Sequence, residues 1–60
     1  IAIGNTATAS EEVAIAIGRN AVASGKDSIA IGSKTIADQI YSVAIGNDIS
    51  VIAKAGTAVG

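Results

Sequence analysis

Few residues in this chain are equipped for chemistry. Its 60 residues include no Cys, His, Phe, Trp or Met and a single Tyr. Without an imidazole or a thiol there is no general base of the usual kind, no Cys nucleophile and no common zinc ligand. The stretch from Gly18 to Lys26 holds a Ser-Gly-Lys tripeptide that could suggest a phosphate loop. However, Asn20 stands where that loop needs its first Gly, and Asp27 follows Lys26 where Ser or Thr is required. Glu11 and Glu12 could attract a cation, but no other acid recurs at their place in the chain's repeat, which marks a solvated turn. Asp27, Asp38 and Asp48 occupy different positions in that repeat and form no ladder, and Arg19, Lys26 and Lys34 are likewise scattered over different turns. These charges are read as solubilising. The chain is therefore expected to be no enzyme and to hold no cofactor and no metal. The net charge of −1 leaves no footprint for nucleic acid, and no apolar run approaches the roughly 18 residues of a membrane span.

The pattern that positions these residues is a repeat. Gly4, Gly18, Gly32, Gly46 and Gly60 are spaced 14 residues apart. Each of the first four ends the same tetrapeptide: Ile1-Ala2-Ile3-Gly4, Ile15-Ala16-Ile17-Gly18, Ile29-Ala30-Ile31-Gly32 and Val43-Ala44-Ile45-Gly46. Thr57-Ala58-Val59-Gly60 is a worn fifth copy. A unit this short cannot bury its own apolar face and must stack on its neighbours. The chain is thus one repeat domain, residues 1–60, with coils 1–14, 15–28, 29–42 and 43–56 and the start of a fifth at 57–60. It opens and closes within the motif, without an initiator Met or signal-peptide pattern, and is expected to be a piece of a longer array.

Period-two alternation, β-branched residues and Gly punctuation predict strands. The first strand of each coil should run from the residue before the tetrapeptide to coil position three, and the second over about positions seven to ten. Gly at position four suits a backbone with φ > 0, and Asn5 and Asn47 just after it tolerate similar geometry. No charge falls at positions one to four or seven to nine, as expected if both strands are buried on at least one face. Successive coils should stack in register as parallel strands about 4.8 Å apart. In coil four, Ile49 and Val51 replace the usual Ala and are joined by Ile52, which predicts a bulkier interior near a junction with the next module.

The first strand has no polar face: Ile or Val points one way, Ala or Ser the other. Short turns bring the two sheets close, which favours small residues in the gap. Ile1, Ile3, Ile15, Ile17, Ile29, Ile31, Val43 and Ile45 are therefore expected on the outside, at an interface with further copies of the chain. The opposite arrangement, with Ile inside against Ala, is the alternative. Tyr41, with Ile40, is the best candidate for an exposed contact; otherwise the pair covers the edge of that interface.

Ser28-Ile29-Ala30-Ile31-Gly32, Ser42-Val43-Ala44-Ile45-Gly46 and Ala21-Val22-Ala23-Ser24-Gly25 resemble the head repeats of trimeric autotransporter adhesins, with the YadA-like head nearest. The match covers essentially the whole chain. It is imperfect at the second-strand Gly, which survives only as Gly25; Glu11, Gln39 and Ala53 stand at the equivalent positions. The resemblance implies an all-β fold, a left-handed parallel β-roll assembled as a homotrimer, with Gly4, Gly18, Gly25, Gly32 and Gly46 at turns. It further implies a head on the bacterial cell surface that attaches to host cells or to host extracellular matrix of the collagen, fibronectin or laminin type. The outer-membrane anchor would be a C-terminal barrel absent from this segment. A structural spacer of the same fibre, without a ligand of its own, is the alternative. A hexapeptide acyltransferase is disfavoured by the 14-residue period and the lack of His, and an ice-binding solenoid by Thr6, Thr8, Thr35 and Thr57 failing to align.

Overall fold

Gly4, Gly18, Gly32 and Gly46 adopt φ of 125°, 126°, 123° and 142°, a region that residues with a Cβ avoid. They end one short strand of every coil and start a corner. In the computed structural model, which describes residues 1–11 and 13–60, the corner continues through two turn residues. It closes with Ala7 N–H donating to Gly4 O and Ala21 N–H to Gly18 O, both at 3.4 Å. The left-handed residue of this corner lies one place later than Asn5 and Asn47: it is Thr6, Asn20, Lys34 or Asp48, with φ of 57–60°. The expectation for the Asn residues is corrected accordingly. The Gly before them already sets the direction of the turn, and the closing hydrogen bond places the second helical-sign reversal at position six.

The fold is all-β. Strands β1 (Ala2–Ile3), β3 (Ile15–Ile17), β5 (Ile29–Ile31), β7 (Val43–Ile45) and β9 (Thr57–Val59) form one sheet. Strands β2 (Thr8–Ala9), β4 (Val22–Ala23), β6 (Ile36–Ala37) and β8 (Ser50–Val51) form the other. All pairings are parallel, and each residue lies beside the one 14 places on: Ala2 by Ala16, Ile17 by Ile31, Ala44 by Ala58. The chain is a parallel β-solenoid of about four turns with 14-residue coils. The second strands cover positions eight and nine, shorter than the seven to ten read from alternation. The turns consume the flanking residues.

Corner backbones also pair from rung to rung. Asn20 N–H donates to Asn5 O at 2.9 Å, Lys34 N–H to Arg19 O at 2.8 Å and Tyr41 N–H to Lys26 O at 2.9 Å. These bonds satisfy polar groups that the turns would otherwise leave orphaned.

The core lies between the sheets and is made of small side chains. Ala14, Ala16, Ala21, Ala23, Ala30, Ala37 and Ala44 are buried, as are Ser28, Thr35 and Ser42. The solenoid is thin, with overall dimensions of 26 × 25 × 11 Å, and this leaves no room for a layer of large residues on each sheet. Val51 is buried, and Ile49 packs against the same cluster. Opposite Val51 the chain has Gly56, where other coils have Ala14, Ser28 and Ser42. A Cβ at residue 56 would stand 3.0 Å from Val51 Cγ1. Bulk gained on one sheet is thus offset by bulk lost on the other. Ile52, grouped with these residues in the sequence reading, lies outside the core instead and is 82% exposed. It follows Val51 by one place and so points to the opposite face.

A seven-residue half-repeat underlies the 14-residue coil. Left-handed residues occur at 20 and 27, 34 and 41, and 48 and 55. Their corners close in the same way, with Ser28 N–H donating to Gly25 O and Ser42 N–H to Gln39 O, both at 3.2 Å. Hence Gly25 begins the second corner as Gly18 begins the first, but it does so without a positive φ, and Glu11, Gln39 and Ala53 stand at the equivalent positions of the other coils.

Candidate functional site

Each β-strand has two faces, and the 14-residue register turns each outward position into a row. On the five-stranded sheet Ala16, Ala30 and Ala44 face the core, so the residues on either side of them face out. One row is Ile1, Ile15, Ile29, Val43 and Thr57; the other is Ile3, Ile17, Ile31, Ile45 and Val59. Ile15, Ile17, Ile29, Ile31, Val43 and Ile45 are half-buried by their neighbours in the row. On the end rungs, Ile1 is 69% and Ile3 56% exposed. The result is a flat apolar strip running the length of the solenoid, with its inner face already filled.

The four-stranded sheet presents a different surface. Its outward positions are Thr8, Val22, Ile36 and Ser50, then Ser10, Ser24, Asp38 and Ile52. Ser24 Oγ donates to Asp38 Oδ1 at 2.7 Å, so two of these side chains are paired along the solenoid axis. Val22 and Ile36 adjoin in one row and Ile52 stands alone, so the apolar exposure here is short; among the described residues the strip that runs from rung to rung lies on the five-stranded sheet.

The residues with chemical potential are kept apart. Gly18 and Lys26 stand on opposite corners of one coil and no helix follows Lys26, so the resemblance to a phosphate loop ends at the sequence. Arg19 and Lys34 lie at the first corner and Lys26 at the second, and the three do not converge. Asp48 lies at the first corner, while Asp27 and Asp38 lie at or beside the second. Glu11 O accepts from Ala14 N–H at 3.2 Å in a turn, and the Glu12 half of that acidic pair lies outside the described residues. Among the described residues no three His, Cys, Asp or Glu side chains gather to hold a metal, and no cavity opens. Tyr41 is 56% exposed with φ of 58°, and Ile40 beside it is half-buried. Two exposed apolar residues were not singled out from the sequence: Ile36, and Val13, which is 57% exposed at the same coil position as Tyr41. The signal that would have found Val13 is the seven-residue half-repeat.

The combination of a Gly-closed corner, an Ala-lined interior and outward Ile rows on a 14-residue register describes a specific kind of solenoid. The family model for the YadA head domain repeat matches the chain twice, over residues 1–21 and 23–48. This chain belongs to that family. Comparison with curated protein sequences and with solved structures gave no match. The YadA head family comprises adhesin-type structural domains rather than enzymes, in keeping with a surface made of rows instead of a pocket. In this YadA head repeat the two family matches span the first three coils and the start of the fourth. The coil in which Ile49, Val51 and Gly56 alter the interior lies largely beyond them.

Proposed function

We propose that this chain is a head module of a trimeric surface adhesin and that its Ile rows are the contact between protomers. The observation that carries the reading is the apolar strip on the five-stranded sheet. Ile1, Ile3, Ile15, Ile17, Ile29, Ile31, Val43 and Ile45 point away from a core that is already complete. An interior built on Ala contributes only about 0.8 kcal/mol per buried CH₂-sized group. Full burial of an Ile or Val is worth about 1.5–3 kcal/mol, and six of the eight are already half-buried, so covering the strip would add a contribution comparable with that of the core. Three left-handed rolls around one axis would each bury this strip and leave the four-stranded sheets and corners facing outward.

The module would sit at the bacterial cell surface, joined to an outer-membrane anchor elsewhere in its protein. Its outward faces are flat and periodic, which suits extended partners such as matrix fibres or the surfaces of host cells. Affinity would come from many weakly binding copies on one surface rather than from a single deep site. Two measurements test the proposal. Analytical ultracentrifugation of the chain should show a trimer, and a folded monomer would remove the interface. The trimer should then bind immobilised collagen, fibronectin or laminin; binding to none of them, with host attachment retained by another module, would make this segment a spacer in the fibre.

A further inference from the structure

We infer that Tyr41 belongs to the contact between protomers, where a second copy of the chain covers it together with Val43. The inference rests on the proposed assembly and adds a residue outside the Ile rows. Its starting point is a comparison between the two corners of each coil. Both are built alike, with a left-handed residue at coil position six in one and position thirteen in the other. The first corner leads into the four-stranded sheet, and its left-handed residues are all polar: Thr6, Asn20, Lys34 and Asp48. The second leads into the sheet that carries the Ile rows, and its equivalent positions hold Val13, Asp27, Tyr41 and Ala55. Asp27, Tyr41 and Ala55 share the left-handed backbone of the first corner, so the turn itself does not demand the large apolar side chain found at Tyr41.

Turn geometry alone would favour Asn, Asp or Gly at such a position, because a bulky side chain at positive φ is strained. Tyr41 accepts that strain while remaining 56% exposed, so the single chain returns little for it. Val13, at the same height in coil one, is also apolar and 57% exposed. Each lies two residues before an Ile-row position, Val13 before Ile15 and Tyr41 before Val43. Val43 is the one inner member of its row that is smaller than Ile, and the only aromatic side chain of the protein stands next to it. The corner is held rigidly, since Tyr41 N–H donates to Lys26 O and Ala55 N–H to Ile40 O, both at 2.9 Å. In coils one and three the residue at position thirteen therefore extends the apolar strip along one edge, with Asp27 interrupting the column between Val13 and Tyr41.

Because Tyr41 is the chain's single aromatic residue, its emission reports on this contact alone. Acrylamide quenching should be measured beside sedimentation across a dilution series. Quenching should fall several-fold on going from monomer to trimer. Tyr41→Asn, which suits the turn better, should fold and yet raise the concentration of half-association by about ten-fold or more. A trimer whose Tyr41 is quenched as freely as the monomer's overturns the inference and leaves the trimer intact. So does a Tyr41→Asn chain that associates as tightly as the native one. A chain that stays monomeric at all concentrations overturns both this inference and the assembly on which it rests.

Discussion

Replacing Gly32 by Ala tests the stacking of rungs most directly. Gly32 has φ of 123°, so any side chain there is strained by about 1–3 kcal/mol. A Cβ on this residue would also run into the carbonyl oxygen of Gly46 on the next rung and stand 2.8 Å from its carbonyl carbon. The obstacle is backbone, which cannot rotate away, and relieving it means parting two hydrogen-bonded rungs. Overpacking of this kind costs a further ~1–3 kcal/mol. The total, about 2–6 kcal/mol, compares with about 3–9 kcal/mol for the stability of a chain of this length. Urea denaturation followed by circular dichroism should therefore find Gly32→Ala largely unfolded or shifted to a much lower midpoint. Ser33→Ala, on the neighbouring residue, should stay within about 0.5 kcal/mol of the native chain. Both must be compared at one protomer concentration, because association adds to apparent stability. A Gly32→Ala chain that lost less than ~1 kcal/mol would refute the close approach of successive corners.

Ile17→Asp places a charge in the middle of the apolar strip and should lower the sedimentation coefficient to that of a monomer, while Lys26→Asp, at an exposed corner, should leave assembly intact. Equal effects would count against the outward Ile rows as the interface. Ser28 and Ser42 are both fully buried, but Ser42 Oγ donates to Gln39 O at 2.6 Å while Ser28 Oγ has no partner among the described residues. Ser42→Ala should cost about 0.5–1.5 kcal/mol and Ser28→Ala should be neutral or stabilising, as read from denaturation midpoints. Gly56→Ala should destabilise by about 1–3 kcal/mol by crowding the carbonyl oxygen of Ala53 and the side chain of Val51, and the part due to Val51 should disappear in the Val51→Ala background. Strict additivity in the double-mutant cycle would show that the two residues do not share one space.

Much of the architecture was open to view in the residues themselves because a 14-residue period leaves little freedom. Once Gly18, Gly32 and Gly46 must align, parallel in-register strands follow, and Ile–Ala alternation assigns each residue to one of two faces. The separation of Gly18 from Lys26 was likewise implied, since eight residues is more than half a coil. What alternation cannot express is depth or direction at a corner. Asn5 and Asn47 were suited to left-handed backbone by type, but the hydrogen bond that closes the turn gives that role to Thr6 and Asp48. The same limit hid the kinship of Gly18 and Gly25, which share a corner geometry at different φ.

The sequence by itself determined the period, the strand class and the absence of His- or Cys-based chemistry, because these depend on residue type and spacing along the chain, while it left open which face of the first strand lines the interior. Only the tertiary structure decided how the two sheets accommodate each other: that Val51 needs Gly56 across the gap, that Ile52 lies outside, and that Tyr41 and Val13 stand in one column beside the Ile rows. Those are relations between residues brought together by the closing of the coil. The physical reason is that the volume of a thin core and the alignment of a corner column are properties of the stacked coils, whereas the pattern along the chain specifies each coil separately.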